Sequence, residues 1–167
     1  MNILVSRRSA LIGAAALTIL AACTNADGTK MSARQVLQDA VRIAKGAVSL
    51  AKILLAGFDA NCAQNPASNI CTNAVIVAAV LIGRPALIVL GDALSAADAA
   101  LANNTTPEDA IGTALGKLLS AQQHVQDLID ALADKKTAQN SRMDFDDVRF
   151  QAQRLGITPA SLAFLPR

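Results

Sequence analysis

Residues 73–103 read NAVIVAAVLIGRPALIVLGDALSAADAALAN, and the fold turns on whether this stretch crosses a bilayer or lines a protein core. Ile76, Val80, Gly83, Leu87, Leu90, Leu94, Ala97 and Leu101 recur at spacings of three and four, the rhythm of a helix with one apolar face. Thr72 or Asn73 is suited to cap its start. Arg84 is the one charge between Ala74 and Gly91. A spanning helix would hold it near the bilayer centre at ~2.5–3.5 kcal/mol, and no Trp or Tyr marks a membrane boundary. The stretch is therefore read as a core helix whose arginine reaches the bundle surface or an acid within residues 91–134. Pro85 removes a backbone donor and crowds the turn before it, yet the apolar register continues across it. One helix kinked near Gly83-Arg84-Pro85 is expected, with two helices broken there as the alternative. Arg84 and Pro85 form the one local conflict in a regular pattern, which marks them as a candidate structural switch.

Two flanking segments repeat the pattern. Leu37, Val41, Ala44, Val48, Ala51, Leu55 and Phe58 make one stripe, while Arg34, Gln38, Arg42, Lys45 and Lys52 lie opposite. This predicts a helix over about 32–58, ended by Gly57 and the polar segment that follows. Ile111, Leu115, Leu118, Gln122, Val125, Ile129 and Leu132 make the third stripe. Thr106 is its expected cap, with Pro107, Glu108 and Asp109 in the first turn and Lys135-Lys136 at the end. Three helices of similar length joined by short turns predict an all-α fold, an antiparallel three-helix bundle. The first helix is basic and 91–134 acidic, which favours their pairing. A shorter C-terminal helix is expected from Ser141 or Asp144 to Leu155, stopped by Gly156. Phe145, Phe150 and Leu155 would lay it on the bundle, and a free partner-binding arm is the alternative.

Cys62 and Cys71 bracket the polar segment CAQNPASNIC at two helix ends. In an oxidising compartment they are expected to form a structural disulfide. Their spacing is too long for CxxC redox chemistry, and no histidine is near.

The chain opens MNILVSRRSALIGAAALTILAAC. Arg7 and Arg8 form a positive head, an apolar run follows, and small residues precede Cys23: the order of a secretory signal. Leu20-Ala21-Ala22-Cys23 resembles the lipobox of bacterial lipoproteins. That resemblance covers residues 1–23 and implies cleavage before Cys23, with acyl chains on its thiol and new amine. Stable attachment needs more than one chain, which such a cysteine supplies. Thr24, in place of Asp, favours the outer membrane over the inner. Ser6-Arg7-Arg8-Ser9-Ala10-Leu11 also resembles a twin-arginine motif, although Ala10 stands where Phe or Leu is usual; Sec export is the alternative.

This divides the chain into a signal peptide (1–22), a lipidated Cys23 with its tether (23–31), the bundle (32–136) and the C-terminal arm (137–167). Without residues 1–22 the charges balance at 13 basic and 13 acidic, which disfavours nucleic acid as a partner. Four Phe are the only aromatics, too few for base-stacking platforms. His124 is the single histidine and has no evident catalytic partner. Asp127, Asp130 and Asp134 share a helix face, read as solvated rather than metal-binding. DFDD, 144–147, lacks the glycine and closing Glu of an EF-hand loop. No catalytic residue, metal or cofactor is expected. The expected role is a non-enzymatic one in the cell envelope: a membrane-anchored periplasmic lipoprotein that binds an envelope protein. The rivals are a membrane-active hairpin built from 47–90 and a carrier of apolar ligands.

Overall fold

The structure, a computed structural model, describes residues 31–157; Cys23, the signal-like segment and Thr158-Pro159 lie outside them. The described residues are all helical between short connections: α1 Ala33–Gln64, α2 Asn69–Thr72, α3 Ala74–Ala102, α4 Glu108–Leu132 and α5 Lys135–Arg154. They form a helical bundle in which α4 packs against α1, α3 and α5, and α1 also meets α3 and α5.

The sequence explains why α4 is central. Thirteen of its 25 residues are buried, against six of 29 in α3. Leucines and isoleucines on α4 alternate with Ala114, Gly116, Ser120 and Ala121, small enough to let neighbours approach on several sides. α1 buries Val36, Leu37, Ala40, Val41, Ala44, Ala47, Ala51 and Leu55, and α3 buries Val80, Gly83, Ala86, Leu90, Leu94 and Ala97. Both sets keep helical spacing, so each helix buries one stripe.

Several ends differ from those predicted. α1 continues through Gly57 to Gln64. A glycine stops a helix when it takes a left-handed conformation, and among the described residues only Gly156 does so, at φ 74°. There the expected stop is met. Gly156 N–H donates to Gln153 O and Ile157 N–H to Ala152 O, both at 3.0 Å, the paired bonds of a Schellman cap. Asn73 caps α3 as expected, accepting from Val75 N at 2.9 Å and Ile76 N at 3.3 Å. Pro107, not Thr106, occupies the cap position of α4, and no side chain bonds there.

The largest shift is at α5. Lys135-Lys136 do not close α4, which ends at Leu132; they open α5, which is longer than predicted. Asp134 is the reason. Its carboxylate accepts from Lys136 N at 3.0 Å, Thr137 N at 3.1 Å and Thr137 Oγ1 at 2.6 Å, and a capped turn begins wherever its cap sits. The Thr137 hydroxyl bond is the main cause holding Asp134 below its ordinary pKa of 3.8, followed by the Thr137 backbone bond. A depressed carboxyl stabilises the fold when ionised. Its contribution is complete above pH ~4 and is lost as the pH falls through the lowered folded value. Protection of the Lys136 and Thr137 amides, taken relative to intrinsic exchange at each pH, should therefore fall below pH ~4, and Asp134→Ala should abolish that fall.

At the other end of the molecule Arg34 donates from Nη1 to Leu101 O and from Nη2 to Asn103 O, both at 2.9 Å. A cation thus sits on the carbonyls that close α3, where the helix dipole favours it.

Candidate interaction surface

Core residues stop at Leu55 on α1 and resume at Val80 on α3; none between them is buried. The end of the α1–α3 hairpin therefore projects past the shared core. Beyond that, the outer face of α3 is apolar and uncovered. Val75 is 75% exposed, Leu81 68%, Ile82 48% and Ile88 70%. Ala78 and Pro85 fill the positions between them and are exposed too. Isolated exposed aliphatics are ordinary, whereas a contiguous patch marks an interaction site.

Pro85 lies on this outer face, and α3 runs unbroken through it. The carbonyl of Leu81, which loses its intrahelical donor to the proline ring, belongs to an exposed residue where water can serve it. Of the two expectations for Arg84, the surface is met and the acid within 91–134 is not: it pairs with Asp59 of α1, and both side chains are about half exposed. The extension of α1 beyond Gly57 is what places Asp59 there. Facing inward, Gly83 meets α4: a Cβ built on it would lie 2.7 Å from Leu128 Cδ2 and 2.8 Å from Leu128 Cβ. The Gly-Arg-Pro sequence thus serves three directions of one helix turn: close packing, a cross-helix ion pair and the outer face.

Cys62 and Cys71 are disulfide-bonded, with Cα atoms 5.6 Å apart, inside the range the bond requires. Ser68 donates from Oγ to Cys71 Sγ at 3.0 Å and its N–H to Asn65 O at 3.0 Å, so the Asn65-Pro66 turn carries the chain across. A closed loop this short stabilises by about 2–3 kcal/mol in the chain-entropy model. Thiol alkylation of native, unreduced protein should label neither cysteine, and the Cys62→Ser/Cys71→Ser double variant should lose that stability in urea titration. Labelling of both thiols in the native protein would overturn the assignment.

The acids read as a solvated face are mostly engaged. Arg142 of α5 donates from Nε to Asp130 Oδ2 at 2.8 Å and lies 3.6 Å from Asp127. Its hydrogen bond to Asp130 raises the guanidinium pKa further. Gln126, fully buried, donates to Asp130 at 2.8 Å and accepts from Ser141 Oγ at 2.8 Å. These residues join α4 to α5, and Phe145, Val148 and Ala152 bury the apolar side of that contact. Phe150 and Leu155, expected to share the docking, are exposed. Among the described residues no group of three or more His, Cys, Asp or Glu is placed to hold a metal ion; His124 is half-buried. Gln122 occupies its predicted stripe position and is 1% exposed, with neither amide atom hydrogen-bonded. An open groove of about 370 Å³ between α1 and α5 has Ile43, Ala47 and Leu50 in its lining and Arg42, Asn140 and Asp144 among its polar residues.

No protein-family model, curated protein or solved structure matches this chain.

Proposed function

We propose that the chain is an exported, lipid-anchored protein of the cell envelope that acts by binding, through the apolar outer face of α3, and not by catalysis. In this reading Cys23 carries the lipid, and the domain faces the periplasm from the outer membrane. An envelope protein is its partner. The lipobox-like LAAC sequence supports the anchor, and the Cys62–Cys71 pair supports an oxidising compartment. The observation that carries the binding role is the uncovered face itself, four large aliphatics in helical spacing on a helix held from behind. Within this reading α1, α3 and α4 are the three members of an antiparallel bundle, α3 bends near Pro85, and α5 is a docked arm. Labelled fatty acid should enter the wild-type chain and leave Cys23→Ser unlabelled and outside the membrane fraction. Label in the serine variant would refute the anchor.

A second reading has its own observation. α3 is long and apolar enough to cross a membrane, with mean hydropathy 2.3 over a window only 22% buried. In that reading the hairpin 47–90 inserts into bilayers. Dye release from liposomes by the wild-type protein would establish it in place of the first. Arg84 opposes insertion, because a charge at mid-bilayer is costly. If it guards against insertion, Arg84→Leu alone should bind liposomes while the wild type stays in solution.

A further inference from the structure

We propose that the outer face of α3 pairs with the same face of a second copy of this chain, antiparallel, about a two-fold axis passing between Leu81 and Ile82. This rests on the binding reading only in taking that face as the binding surface. The face is symmetric in spacing and size about its own middle. Val75 and Ile88 stand equally far from the centre, Ala78 and Pro85 likewise, and Leu81 and Ile82 flank it. A two-fold contact places each residue against its mirror position. Here that sets large against large at the ends, small against small between them, and Leu81 against Ile82 at the axis.

Charge agrees with self-pairing. The six residues are uncharged, and the one neighbouring cation, Arg84, is neutralised by Asp59 of its own chain; exposed Asp92, one turn beyond Ile88, has uncharged Cys71 as its mirror position, so no like charges meet. A bilayer fits less well. Helices that lie in a membrane interface carry Lys and Arg along their margin and aromatic residues on their buried side; this face has no aromatic residue and only the paired Arg84 beside it. The size of the surface sets the strength. A large aliphatic side chain offers roughly 100 Å², so these four, mostly exposed, supply on the order of 300 Å² per copy. Small residues between them add to this. That is below the ~600 Å² per partner of stable complexes, so the pairing is weak and reversible.

The test uses the full-length chain in cells, with photoreactive benzoylphenylalanine replacing Ile82. Irradiation should yield a product of twice the monomer mass, and the same probe at exposed Lys117 on α4 should not. Leu81→Lys and Leu81→Glu, each added to the probe-bearing chain, should lower the yield roughly tenfold or more, since like charges at an interface cost several kcal/mol. Co-expressing the two should restore it. Both positions are exposed, so circular dichroism should match the wild type. Attachment to a different protein would overturn self-pairing and leave the binding reading standing. Attachment to lipid, to residues 1–30 or 158–167 of the same chain, or to nothing would overturn both.

Discussion

Replacing Gly83 with leucine is expected to lower the unfolding free energy by about 3 kcal/mol, the upper end of the usual overpacking cost. At this position a Cβ would already fall 2.8 Å from the Cβ of Leu128. A Cβ cannot rotate away, so relief requires α3 and α4 to separate. Even alanine, which gains ~1 kcal/mol of helix propensity over glycine, should come out destabilising here. Gly91 provides the control. It lies on the same helix with nothing within 4 Å of its built Cβ, and Gly91→Ala should stabilise by roughly 0.5–1 kcal/mol. Urea titrations of the three variants measure these values. A Gly83→Leu protein as stable as wild type would mean that the two helices do not approach here.

Phe145→Ala is expected to cost about 3–5 kcal/mol, the range for emptying an aromatic core site. Phe145 is 1% exposed and is the largest fully buried side chain among the described residues. It stands in the stripe that holds α5 to the bundle. Phe150 is 38% exposed, and Phe150→Ala should fall within ~0.5 kcal/mol of wild type, as surface changes do. Limited proteolysis adds a local readout: α5 should be cut first in Phe145→Ala and stay protected in Phe150→Ala. Equal effects of the two substitutions would mean that α5 is not docked.

The contrast between these phenylalanines shows what the sequence made legible. The long apolar periods located three helices to within a few residues wherever a cap or a buried stripe set the boundary, as Asn73 does, and Gly156 closes the C-terminal helix where expected. Gly57 misled because a glycine in a helical sequence signals a stop only when the backbone turns left-handed there, and the tertiary fold decides that. Lys135-Lys136 misled because cations suit the end of one helix, whereas Asp134 beside them caps the start of another. The cap decides, since it supplies bonds to specific amides and the charge adds only a diffuse field. The expectation that Phe145 lies on the bundle holds, whereas Phe150 and Leu155 fall off the buried stripe, which runs through Phe145, Val148 and Ala152.

The candidate surface was half legible. The apolar run of α3 and its arginine were evident from the letters. Their division into a packed side and an uncovered side depends on how many helices surround α3, and one period cannot report that. The partner of Arg84 is hidden for a related reason: the apolar stripe ends at Phe58, one residue before Asp59. Arg142 and its acids left only a faint trace, Ser141, Arg142, Phe145, Val148 and Arg149 at helical spacing. Such a pattern becomes visible once α5 is known to begin at Lys135.

The hairpin of α1 and α3 is fastened at both extremities, by the Cys62–Cys71 bond at one and by the Arg34 grip on Leu101 and Asn103 at the other. Its alignment is thereby held by groups that lie off the outer face. Residues between the fasteners are then released from a duty that surface residues of a helix pair often share, that of keeping the two strands of the hairpin in step. Substitution along Val75, Ala78, Leu81, Ile82 and Ile88 can proceed without loss of the scaffold, so their identities are free to record selection by whatever meets them. In an evolving lineage this face would change at the pace of its partner, while the cysteines and Arg34 would change at the pace of the fold.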